Sequence, residues 1–367
     1  MADARIEALA ETVVAYSLDV QPGQLVAITG EPVAEPLIRA AYLRVLARGA
    51  HPMVLLAPPG LRPAFLRLAS DEQLQYVSPV ERLVPEQVDA VLSILSETNT
   101  RDLAGVSAER QQTFRRARTD LQQRYLERAA QGQLAWCLTL FPTEAYAQDA
   151  EMSLEEYEEF VFGAGLLGAA DPADAWRTQS ADQQRMVDWL ADKRDAYVLG
   201  PDTELHLSVA GRTFINADGR HNFPDGEIFT GPVEDSVEGH VRFSFPSTVG
   251  GRKVEDVQLW FEGGRVVRAT AAAGEDFLLA ALDTDQGARR LGEFAFGTNR
   301  GITRYTGNTL FDEKIGGTMH LAIGAGYPQT GARNQSALHW DMVCDLRRQS
   351  EVRFDGQLFM ENGRIVI

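Results

Sequence analysis

The feature that most constrains this 367-residue chain is a change of periodicity near residues 190–200. Before it, short apolar runs alternate with amphipathic stretches. PGQLVAITG (22–30), HPMVLLAPP (51–59), VDAVLSILS (88–96) and QLAWCLTLFP (133–142) read as strands bounded by turn residues. Residues 3–17 and about 33–48 read as helices, the first placing Ile6, Leu9, Val13 and Val14 on one face. An Arg- and Gln-rich helical stretch precedes the fourth strand. Apolar strands separated by helices predict a mainly parallel α/β sheet covered on both faces. Residues 147–195 read as helical, most clearly in DAWRTQSADQQRMVDWLADKRDAY.

Past residue 197 the texture becomes strand alternation with frequent glycine turns, as in TELHLSVAG, RVVRATAAAG and FDGQLFMENGRIVI. Alternation of this kind predicts antiparallel sheet. The chain exceeds the length at which one hydrophobic core stops growing. The expectation is therefore an α/β domain over 1–195 and an α+β domain rich in antiparallel strands over 196–367.

Charge and motifs exclude several functions. A formal charge of −17 repels phosphate backbones and anionic membrane surfaces, so neither nucleic acid nor membrane is an expected partner. The two cysteines, Cys137 and Cys344, form neither a disulfide framework nor a thiolate metal site. The turn ITGEPVAE is no GxGxxG fingerprint, and GxxxxGK[ST] and GxSxG do not occur. The amino-terminal stretch carries acids among its apolar residues and reads as an amphipathic helix, which makes the cytoplasm the expected location.

Chemistry-bearing residues concentrate after position 220. In NQSALHWDMVCDL, alternation puts His339 and Asp341 on one strand face and Leu338, Trp340 and Met342 on the other. An imidazole and a carboxylate side by side suit a cation, or form a hydrogen-bonded couple. In GGTMHLAIGAGY, His320 points away from Met319, Leu321 and Ile323, either as a ligand or as a buried neutral histidine. Glu227 (FPDGEIFTGP), Glu293 (GEFAFG) and Glu313 (LFDEKIGG) sit in apolar, glycine-bounded settings. Burying a carboxylate demands a partner, and a divalent cation is an effective one. For Glu313 the adjacent Lys314 offers a simple ion pair. His51, His206, His221 and His240 lack any patterned partner and read as structural.

Taken in order, FPDGEIFTGP, EGHVRFSFP, LGEFAFGTN, LFDEKIGGTMHLAIGAGYP and NQSALHWDMV resemble the thermophilic aminopeptidases, the M29 metallopeptidase family. The resemblance runs almost continuously through the second half; in the first half it rests on element order and phrases such as VQPGQLVAITG. It implies two divalent metal ions (Zn, Co, Mn or Mg) held by Glu227, Glu293, His320, His339 and Asp341. It further implies that Glu293, Glu313 and Tyr327 are catalytic. The implied activity is release of amino acids from peptides with a free N-terminus, in a homodimer. Another metal-dependent amidohydrolase or esterase, or a non-catalytic metal scaffold, is the competing expectation.

Overall fold

A computed structural model describes residues 3–249 and 252–367. Contacts divide them into two compact units, residues 3–175 with 219–224, and 176–218 with 225–367.

The first unit carries the parallel sheet that its apolar runs predict. Its strand order is His51–Leu56, Leu25–Gly30, Ala90–Leu95, Ala135–Leu140 and Asn222–Phe223, every pairing parallel. Val26, Ala27, Ile28, Ala90 and Leu92 are wholly buried, as strands covered on both faces must be. The helices start where local chemistry allows. Asp3 caps the first through the Arg5 amide, and Ser78 with Glu81 forms a capping box for Pro79–Gln87.

The helical region of 147–195 resolves into Leu154–Ala164 and Pro172–Leu190, preceded by Glu144–Asp149. The change of texture falls after these helices, whereas the second compact unit begins within the last of them, at Trp176. Leu190 joins the core of that unit, with Met186, Val187 and Trp189 packed against it.

The second unit contains an eight-stranded and a five-stranded antiparallel sheet. The smaller has the order His339–Asp345, Thr318–Gly324, Leu291–Gly297, Glu227–Thr230, Ile215–Ala217. Its core-facing side chains, Phe294, Phe296, Met319, Leu321, Ile323, Trp340 and Met342, pack with Leu205, Leu207, Val241, Phe243 and Leu259 of the larger sheet. One face of the smaller sheet is thus committed to the core. The other carries the polar residues. Among the described residues no helix is long and apolar enough to cross a membrane.

Candidate metal centre

Strand register brings the candidate residues together. His320 lies opposite Ala295 and Val343, Ala322 opposite Asp341, and Gly324 opposite His339. Glu227 lies opposite Gly297 on the next strand out. Alternation gives His320, His339 and Asp341 the face opposite the core. Glu293 needs more than alternation. Leu291 faces the core, and strict period two would send Glu293 the same way. A bulge between Leu291 and Glu293 shifts the register, so Glu293 pairs with Ala322 and turns to the polar face. The inserted residue is Gly292, where an added Cβ would sit 2.1 Å from the Ala325 carbonyl oxygen. Only glycine fits there.

The side chains form a chain of alternating charge. Glu227 Oε2 lies 3.2 Å from His320 Nε2, which lies 3.4 Å from Glu293 Oε1. The other Glu293 oxygen, Oε2, lies 3.5 Å from His339 Nε2, which lies 3.2 Å from Asp341 Oδ2. Among the described residues two groups can each hold an ion: Glu227, Glu293 and His320, and Glu293, His339 and Asp341. Glu293 belongs to both.

These residues fit a cation better than they fit one another. Glu227 Oε2, both His320 nitrogens and Asp341 Oδ1 are buried with no hydrogen-bond partner, although oppositely charged atoms are close by. Orphaned buried polar atoms are rare and costly. Donors placed tetrahedrally at roughly 2.0–2.1 Å from one ion stand about 3.3–3.4 Å apart, which matches the spacings found here. His339 Nδ1 lies 2.8 Å from the Ala325 carbonyl oxygen. Donation of its proton there fixes the tautomer and leaves Nε2 free to ligate.

The electrostatics agree. Burial opposes protonation of both imidazoles, but the acids outweigh it. Glu293 and Glu227 push His320 up to about 9, and Asp341 with Glu293 pushes His339 up to about 11. Burial alone would raise Glu293 and Asp341, yet their histidine partners hold both below the ordinary carboxylate range, Asp341 at about 2. A site that binds protons this strongly without metal is one where metal must displace them.

The structure places the remaining sequence candidates at the edges of this cluster. Glu313 Oε2 is 2.7 Å from Lys314 Nζ, so the adjacent-residue ion pair does form. The same ammonium is 3.1 Å from Glu227 Oε1. Burial pushes Glu313 up to about 8 against the pull of Lys314. With Asp341, Tyr305, Thr248 and Asp312 it lines a small pocket. The Tyr327 hydroxyl lies 3.4 Å from His339 Nε2, and its ring meets Phe229 edge-on at 5.5 Å. Burial, then the surrounding acids led by Glu293, raise its pKa, so the phenol stays protonated. The other four histidines lie elsewhere: His221 stacks on Trp136, His240 on Trp260, His206 is 3.8 Å from Asp195, and His51 is exposed.

Lys314 is the residue that sequence reasoning undervalued. It is 1% exposed and bridges Glu227 to Glu313, joining two carboxylates 86 positions apart. Its only cue in the sequence was adjacency to Glu313 and to the apolar Ile315.

An antiparallel sheet whose polar face gathers buried carboxylates and imidazoles, several of their atoms without a hydrogen-bond partner, defines a metal-dependent enzyme. The profile of the thermophilic metalloprotease (M29) family matches residues 2–365, and the chain belongs to that family. It is therefore a hydrolase of peptide bonds. The chain is 29% identical to aminopeptidase 2 of Geobacillus stearothermophilus over 360 residues, covering 91% of this chain and 86% of the relative. It is 29% identical to aminopeptidase T of Thermus thermophilus over 351 residues, covering 88% and 85%. Its structure is similar to that of wild-type AmpT from Thermus thermophilus, with a TM-score of 0.86 at 27% identity over 99% of both chains.

Proposed function

We propose that the protein is an aminopeptidase that removes N-terminal residues from peptides with two divalent cations. Glu227, Glu293 and His320 would hold one ion and Glu293, His339 and Asp341 the other. The observation that carries this reading is the placement of Glu293: each of its oxygens faces a different imidazole, at 3.4 and 3.5 Å. Cations bound there lower the pKa of water towards neutrality and polarise a carbonyl.

The chain's own groups supply the rest. Glu313 belongs to neither ligand group and stands beside Asp341 in the pocket wall, so it is the carboxylate available to accept a proton from the attacking water. Glu293 belongs to both groups and would be committed to the ions. Tyr327 keeps its proton and can donate a hydrogen bond to the oxyanion that develops on the scissile carbonyl. Lys314 holds Glu227 and Glu313 apart from each other's charge. A free α-amine, itself a cation, is attracted to this acidic face, which favours substrates with an unblocked end. A homodimer in the cytoplasm accompanies this reading through the family resemblance and composition.

The test uses leucyl-p-nitroanilide and its N-acetylated form, with the metal-loaded enzyme. Hydrolysis of the free form alone, lost after exhaustive chelation and restored by Zn or Co, is the expected result. Equal turnover of the blocked substrate, or full activity after chelation, overturns the reading.

A further inference from the structure

Tyr327 sits in the connection 325–338 between two neighbouring strands of the metal sheet, a connection with only one short 3-10 turn of its own, at Pro328–Thr330. Its base is fastened to the sheet. The Ala325 amide donates to the Leu338 carbonyl, and Asn334 Nδ2 donates to the carbonyls of Gly324 and Gly287. The tip is fastened elsewhere. The Thr213 amide donates to the Thr330 carbonyl at 2.9 Å, and the Arg333 amide donates to Glu234 Oε1 at 2.6 Å. Thr330 Oγ1 in turn donates to the Tyr327 carbonyl at 2.7 Å.

Glu234 is the hub of the second fastening. Its Oε2 accepts from Arg212 Nη2 at 2.6 Å, while its own carbonyl accepts from Arg290 Nη1 at 2.5 Å. Both carboxylate oxygens are thus used, one on the scaffold and one on the loop. The arrangement is an expensive one. The Arg212 side chain is 7% exposed, and its Nε has no hydrogen-bond partner. Leaving a buried donor unsatisfied costs free energy, so the pair is not arranged for stability alone. What the pair achieves instead is geometric: it anchors the backbone of the strip that carries Tyr327.

We propose that Glu234, held by Arg212, is a positioning residue that fixes the Tyr327 hydroxyl over the metal face. This rests on the assignment of Tyr327 as the oxyanion donor. Glu234 touches neither ligand group and acts only through the loop. A misplacement of an ångström at such a donor is enough to slow chemistry severely.

A double-mutant cycle on the full-length, metal-loaded enzyme tests it, with leucyl-p-nitroanilide as the probe. Tyr327→Phe is expected to lower kcat about 100-fold, as loss of one oxyanion donor does. Glu234→Gln, which can satisfy only one of its two donors, is expected to lower kcat about 10-fold with KM within about 2-fold and metal content unchanged. In the Tyr327→Phe background, Glu234→Gln is expected to change kcat by less than about 2-fold. If Glu234→Gln does not fold, Arg212→Lys, which keeps the charge but loses the fork, completes the same cycle. An undiminished loss in the Tyr327→Phe background, loss of metal, or wild-type kcat for the positioning variant overturns the proposal while leaving Tyr327 in its role. Wild-type kcat for Tyr327→Phe overturns both.

Discussion

The two units bury acids in opposite ways, and the difference shows what makes a metal site. In the parallel unit, Glu31 and Glu97 lie at the carboxyl ends of adjacent strands, Leu25–Gly30 and Ala90–Leu95. Burial raises the pKa of both, and like charges add to it: Asp102 acts on Glu31, and Glu31 on Glu97. Among the described residues no imidazole interleaves with them, and they belong to neither ligand group. In the antiparallel unit, histidines stand between the acids, and Glu293 and Asp341 are lowered even though they are more deeply buried. Clustered acids alone are self-repelling. Acids interleaved with imidazoles converge on a shared point, an arrangement that suits a divalent transition-metal cation.

The largest effect expected from this contrast is on activity. His339→Ala or Asp341→Ala should lower kcat/KM for leucyl-p-nitroanilide by about 1,000-fold or more, since each removes a proposed ligand. Glu31→Gln should leave turnover and metal content unchanged. Metal content by elemental analysis separates the cases, and metal loss in the Glu31 variant would erase the distinction between the units.

Next in size is the bulge. Gly292→Ala should destabilise the antiparallel unit by about 2–3 kcal/mol, because the new methyl meets backbone that cannot yield. It should also release metal by turning Glu293 away. Normal metal occupancy in a folded Gly292→Ala protein would mean that the bulge does not aim Glu293.

A third expectation concerns pH. Both histidines have metal-free pKa values above the unfolded value of about 6.5. They bind protons more tightly in the folded protein, so their contribution is fully present below about pH 6.5. It is lost as pH rises through about 9 and then about 11. The metal-free protein should therefore melt at a lower temperature at pH 10 than at pH 7. Metal loading should release protons, seen as a dependence of binding heat on buffer ionisation enthalpy. A metal-free protein whose melting temperature rises over that interval would contradict the assignment.

The smallest effect is local to the parallel unit. Ser78→Ala removes one arm of a capping box and should cost about 1 kcal/mol by denaturant titration, without changing kcat.

Much of this molecule is legible along the chain. Apolar runs such as Val26–Ala27–Ile28 demand two covered faces and so a parallel sheet. Period-two alternation assigns His339 and Asp341 to the face opposite Trp340, and the strand Thr318–Gly324 turns His320 away from Met319 and Leu321 in the same manner. These are local consequences of backbone geometry, which neighbouring residues alone set. Convergence is different in kind. Glu227, Glu293, His320 and His339 come from four strands, and their meeting depends on register, which is fixed by pairing between distant segments. Glu293 reaches the metal face only through a bulge that alternation would never predict, and Lys314 finds Glu227 only after the strands have paired. Side-chain facing is a property of consecutive residues and can be read from them. Distances between strands belong to the folded sheet, and only the sheet decides them.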